Sequence, residues 1–163
     1  MDFQDLAPAL ASLATSPKFL LVGDPYTLLL SGAQTNNAFA LIHSLCSPGF
    51  GPPPHRHLRE HETFYILEGH MTFYANNTET TFGPGGVIHL PANLPHFFKN
   101  NGSSTVSMLV HVSPAGDFDR YLQTVGISLP PDYTPPAVTP PPSPEHLQKV
   151  LAEGPNFGIE FLL

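Results

Sequence analysis

The sequence predicts an all-β fold, a sandwich or barrel of short antiparallel strands, and three observations carry that expectation. Twenty prolines and 13 glycines punctuate 163 residues of which only 12% are charged, so turns are frequent and long helices are not. From residue 19 to residue 112, short apolar, β-branched and aromatic runs alternate with turn residues. Within them "LEGHMTFYANNTETTFGPGG", residues 67–86, reads as strand, turn, strand, tight turn, strand, turn, the spacing of a sandwich or barrel. The length is enough for one well-buried core, and 41% hydrophobic residues is ordinary for a globular protein.

Taken in order, residues 2–14 read as a short amphipathic helix, with Phe3, Leu6, Leu10 and Leu13 spaced by three and four. The strand candidates follow: "KFLLVG", "YTLLLSG", "AFALIHSLC", "ETFYILEG", "HMTFYAN", "TETTFGPG", "VIHLPA", "PHFFKN" and "TVSMLVHVS". After Ser113 the pattern changes to a helical one. "PAGDFDRYLQTVG" places Phe118, Tyr121, Leu122 and Val125 on one side, between Pro114 and Gly126. Residues 130–144 contain eight prolines and are expected to run as an extended, polyproline-like strap. A last helix fits "SPEHLQKVLAEG", with Ser143 as N-cap, Pro144 at the first helical position and Gly154 as terminator. The closing "FGIEFLL" is apolar enough to be tucked against the body or a second subunit. No repeat of about 20–50 residues is present. The expectation is one domain over residues 1–163, with a barrel at about 19–113 and an appendage at 114–163.

Bulk properties exclude several functions. A net charge of −7 argues against nucleic acid and against anionic membrane surfaces. The longest apolar runs fall far short of the roughly 20 residues of a membrane span. The start, "MDFQDLAPAL", lacks a basic region and a long apolar core, so no signal peptide is expected and the cytoplasm is the default compartment. On that reading the sequons at Asn76 and Asn101 are chance occurrences. Cys46 is the only cysteine, so no internal disulfide can form.

Chemistry concentrates in "PPPHRHLREHETFYILEGH", residues 52–70, which holds four of nine histidines and three carboxylates. His55 and His57 are two apart, so on a strand both leave the same face. Glu62 is five past His57 and joins them only if "LREH" is a break and a new strand begins near Glu62. Two imidazoles and a carboxylate then make an N/O site for a borderline divalent metal: Fe, Mn, Ni, Cu or Zn. Alone, the triplet reads equally as a solvated polar loop.

A second stretch, "GGVIHLPANLPHFFKN", breaks that balance. Gly49, His55, His57, Glu62 and Gly69, followed by Gly85, Pro91, Asn93, His96 and Asn100, resemble the two signature motifs of the cupin superfamily. Those motifs run G-x5-H-x-H-x3-4-E-x6-G and G-x5-P-x-G-x2-H-x3-N. Asn93 stands where the pattern has glycine, and asparagine is the non-glycine residue that best tolerates the left-handed backbone such a position demands. The resemblance implies a cupin-type antiparallel β-barrel, a jelly roll flanked by short N-terminal and C-terminal helices. It also implies one divalent metal per chain held by His55, His57, Glu62 and His96. The C-terminal helix and tail are similar to those of small cupins resembling flavonol (quercetin) 2,3-dioxygenases.

Phe64 and Ile66 share parity with Glu62, and Phe98 shares it with His96, so all three are expected to wall an apolar substrate cavity. His43, in mid-strand, is a candidate for facing that cavity, against the alternative of an edge histidine hydrogen-bonded within its own sheet. Glu60 is expected to be a solvated loop residue and Glu68 a turn residue, Arg56 and Arg59 are expected to solvate the loop, and Cys46 is given no nucleophilic role. The resemblance implies a metal-dependent dioxygenase acting with O2 on a small phenolic or enolic molecule, with Glu62 as proton acceptor. Alternatives are a metal-dependent isomerase, cyclase, decarboxylase or lyase of secondary metabolism, or a non-enzymatic small-molecule binding module. Fold alone does not choose among them. A homodimer is expected.

Overall fold

The structure, a computed structural model, describes residues 8–163. Among the described residues, twelve strands and two α-helices follow one another. They are β1 (Lys18–Leu21), β2 (Asp24–Leu30), β3 (Ala40–Cys46), β4 (His55–His57), β5 (His61–Glu68), β6 (Met71–Ala75) and β7 (Thr78–Phe82). Next come β8 (Val87–Leu90), β9 (His96–Lys99), β10 (Val106–Ser113), α1 (Phe118–Val125), β11 (Ile127–Leu129), α2 (Pro144–Glu153) and β12 (Ile159–Phe161). Each of the nine strand candidates coincides with an observed strand.

Two antiparallel sheets face each other, ordered β11-β1-β2-β3-β10-β5-β8 and β12-β4-β9-β6-β7. Alternation does the sorting. On β10, Val106, Met108, Val110 and Val112 are buried between the sheets while the residues between them face outward. Phe64, Phe73 and Phe98 form an edge-to-face cluster in the core, with ring centroids 5.1 Å (Phe64–Phe73) and 5.4 Å (Phe64–Phe98) apart.

The C-terminal segment folds back onto both sheets. β11 pairs with β1, and β12 with β4. α1 and α2 are joined by the Tyr121 hydroxyl, which donates to the Val150 carbonyl (2.6 Å), and by His146 Nε2, which donates to the Val125 carbonyl (3.0 Å). Ser143 caps α2 as expected, accepting the His146 amide hydrogen. α2 ends at Glu153 with Gly154 as its C-cap, as expected; the chain continues into a 3-10 turn, and Gly158, at φ 66°, makes the reversal into β12.

The helix expected over residues 2–14 is not found at 8–14, which carry no helix, with Leu10 and Leu13 exposed. Residues 1–7 lie outside the described part. A periodic stretch this short carries little helical stability of its own. No helix among the described residues is long and apolar enough to cross a membrane.

Candidate metal centre

β4 carries His55 and His57 inward, and the chain then bends at 58–60 before β5 restarts at His61. That bend corrects the parity, so Glu62 faces inward too. β9 brings His96 directly opposite His55. Asn93 sits at φ 68°, the left-handed conformation its place in the motif requires. Its amide donates to the His57 carbonyl (2.7 Å) and its side chain to the Leu58 carbonyl (3.2 Å), tying the two motifs together.

All four side chains are buried, and one donor atom from each lies within 4.8 Å of the others. The outer nitrogen of every imidazole is already committed. Nδ1 of His55 donates to the Pro53 carbonyl and Nδ1 of His96 to the Leu94 carbonyl, both at 2.9 Å. Nδ1 of His57 faces Glu60 Oε2 at 3.3 Å. These contacts fix the tautomer and leave Nε2 for the centre. There Glu62 Oε2 lies 2.9 Å from His96 Nε2 and 3.4 Å from His57 Nε2.

Such approaches need positive charge between the groups. Burial opposes charge on Glu62, but His57, His96 and His55 together hold its carboxyl down at about 2. Burial likewise opposes charge on His57, and the Glu62 and Glu60 carboxylates outweigh it, so this imidazole stays above its ordinary range. Burial, with His96 and His57 alongside, drives His55 down to about 3, so its imidazole stays neutral. Three neutralisable imidazoles and one ionised carboxylate suit a borderline divalent ion at bonds of about 2.0–2.2 Å. The donors need only small shifts to close on one, so the four residues could hold a single ion.

Beside the cluster lies a cavity of about 40 Å³, reached by His55, His57 and Glu62. Phe64 and Phe98 line it as expected. Ile66 does not: it is buried in the core away from the cavity wall. His43 takes the alternative of a histidine hydrogen-bonded within its own sheet: its parity on β3 is outward, where Nε2 pairs with the Ser107 hydroxyl at 2.8 Å. His61 is exposed and stacks on His89.

Glu60 corrects the sequence reading most. Instead of a solvated loop residue it is 2% exposed, and its carboxylate accepts the amide hydrogens of Asp117 (3.0 Å) and Phe118 (3.0 and 3.1 Å). A residue in a non-periodic bend carries no facing signal, so nothing in the sequence marked it. Arg56 and Arg59 are partly solvated but paired, with Glu160 (2.6 Å) and Asp117 (2.7 Å). Cys46 is buried, and burial pushes its thiol up, away from nucleophilic use.

Three further cavity residues were also missed. Asp24 and Tyr26 come from β2, where their shared parity was the available signal, and Phe118 comes from α1. Asp24 accepts the Ser47 amide hydrogen (2.9 Å), yet burial raises its carboxyl from 3.8 to about 6. Because the folded value exceeds the unfolded one, ionised Asp24 burdens the fold. The penalty is absent below about pH 3.8 and complete above about pH 6, amounting to about 3 kcal/mol. Urea unfolding of Asp24→Asn should therefore shift in the variant's favour, relative to wild type, by up to that amount between pH 4 and 7.5. A variant-minus-wild-type difference that ignores pH would refute this account.

Residues 44–112 match the family model described as a cupin domain. The chain is 32% identical, over 108 residues and 66% of its length, to quercetin 2,3-dioxygenase of Bacillus subtilis (strain 168), of which it spans 32%. The chain spans about a third of the length of the curated relatives it matches. Among solved structures it is similar to a predicted oxalate decarboxylase from Thermotoga maritima, at 22% identity and TM-score 0.57, covering 64% of this chain and 98% of that one. It is similar also to the Streptomyces nucleoside dehydratase Pac13, at 18% identity and TM-score 0.57, covering 76% and 92%. Those structural likenesses speak to the fold.

Proposed function

We propose, from the premise that this chain carries a cupin domain and resembles quercetin 2,3-dioxygenase, that it is a metal-dependent dioxygenase acting on a small phenolic or enolic molecule. Residues 1–163 act in this reading as one unit, with His55, His57, Glu62 and His96 as ligands. The observation that carries it is the buried cluster of those four donors, three of which, His55, His57 and Glu62, reach an apolar cavity. A divalent ion bound there would supply Lewis acidity toward an oxygen of the ligand.

The chain's own groups do the rest. Glu62 stays ionised throughout the physiological range and accepts a proton only from a hydroxyl acidified by its surroundings, as an enol or phenol is. Phe64, Phe98 and Phe118 exclude water and offer faces to an aromatic body. The cavity is smaller than the roughly 150 Å³ known to hold benzene, so a ring enters only when residues lining it shift.

A second reading rests on Asp24. Two carboxyls on one cavity, one held at about 2 and the other raised to about 6, are the pairing expected of acid–base work without O2, as in an isomerase or lyase. Aerobic turnover of flavonols and simpler enols, after loading with Fe, Mn, Ni or Cu, separates the two. Stoichiometric oxygen uptake supports the dioxygenase. Solvent deuterium entering the substrate without oxygen uptake replaces it with the second reading.

A further inference from the structure

We infer that Glu60 couples the metal centre to the C-terminal cap, so that loading of the ion and closure of α1 over the cavity favour each other; the inference rests on the metal-binding reading above. Asp117, the N-cap residue of α1, makes no side-chain cap of its own, and its carboxylate is turned to Arg59 instead. The free amide hydrogens at the start of the helix are instead received by Glu60, more than fifty residues earlier in the chain. The same carboxylate reaches His57 Nδ1 on its other side.

One buried group thus serves two clients. It orients a ligand imidazole and it anchors the first turn of the helix that walls the cavity. Phe118, whose amide it receives, lays its ring edge-on against His57 (centroids 5.6 Å) and against Tyr26 (6.4 Å). A shift of α1 therefore disturbs the Glu60 contact to His57. Conversely, an ion on His57 Nε2 makes the Nδ1–H a stronger donor to the carboxylate that holds α1, so the two favour each other. Coupling of this kind is reciprocal by thermodynamic necessity. Glu60 is a positioning residue: it touches the ligand and the cap, not the cavity.

The test uses the full chain, Zn²⁺ and Co²⁺ as probes, and Glu60→Gln, which keeps the side chain's shape but replaces one accepting oxygen with a donor. Competition titration should show Zn²⁺ bound about 10–100-fold more weakly by the variant, the range for partners of ligand histidines. The Co²⁺ visible spectrum should change as well, which a purely structural role would not cause. In hydrogen exchange, Zn²⁺ should slow the amides of Phe118–Val125 in the wild type and fail to do so in the variant, while β10 keeps its protection in both. The inference is overturned if the variant binds Zn²⁺ as tightly as wild type, or if Zn²⁺ slows α1 equally in both or in neither. A wild type that takes up no metal defeats the parent reading instead, and is seen before any variant is made.

Discussion

Replacing His57 with alanine is expected to leave a folded protein that does not retain a divalent ion through dialysis and has no metal-dependent turnover. Sites with four protein ligands bind zinc with roughly 10–16 kcal/mol, so losing one donor costs on the order of 3 kcal/mol, more than a hundredfold. His57 loses more than a donor. Its Nδ1 is what Glu60 faces, and its ring is what Phe118 packs on. Without metal the variant carries a pH signature. The imidazole sits above its ordinary value between two buried carboxylates, so its charge stabilises the fold below about pH 6.5, and that contribution disappears as pH rises through the folded value. Urea melts should therefore show a larger deficit at pH 6 than at pH 9. Metal content equal to wild type, measured by elemental analysis, would remove His57 from the centre.

Phe64→Ala is expected to have the largest effect on stability outside the cluster. Phe64 is 2% exposed, meets Phe73 and Phe98 edge to face, and presents its remaining side to the cavity. Truncation of a core phenylalanine costs about 3–5 kcal/mol, and the melting temperature should fall by about 6–20 °C. The vacated space joins a cavity of about 40 Å³, bringing it toward a volume that admits benzene. Saturating phenol should accordingly raise the variant's melting temperature more than wild type's. A loss below about 2 °C would mean the phenyl group is not part of the packed core.

Particular residues explain how far the sequence could be read. Strands were legible because alternation and turn chemistry are local: β10 shows every second residue buried, as its spelling implies. The four donors were legible because motif spacing encodes both the bend after β4 and the return at β9, and Asn93 satisfies the backbone demand of its position. Parity told which face a residue takes, but not how far along the strand the cavity reaches. His43 pairs with Ser107 on the outer face, and Ile66 reaches the core but not the cavity. Asp24, Tyr26 and Phe118 became neighbours only through closure of β2 and α1 over the same space. β11 was missed because three residues leave too little pattern, and Glu60 because its partners are amides of a helix far along the chain.

β4, bearing two of the four donors, meets β9 at a single register pair but β12 at three, Ile159 with His57, Glu160 with Arg56 and Phe161 with His55. On the ribosome, β12 emerges about a hundred residues after β4, roughly 5–20 seconds at common elongation rates. For that interval the nascent chain displays an unzipped edge beside its most polar interior groups. Early loading with an ion, or shelter by a chaperone, therefore bears on how much of the newly made chain reaches its finished form.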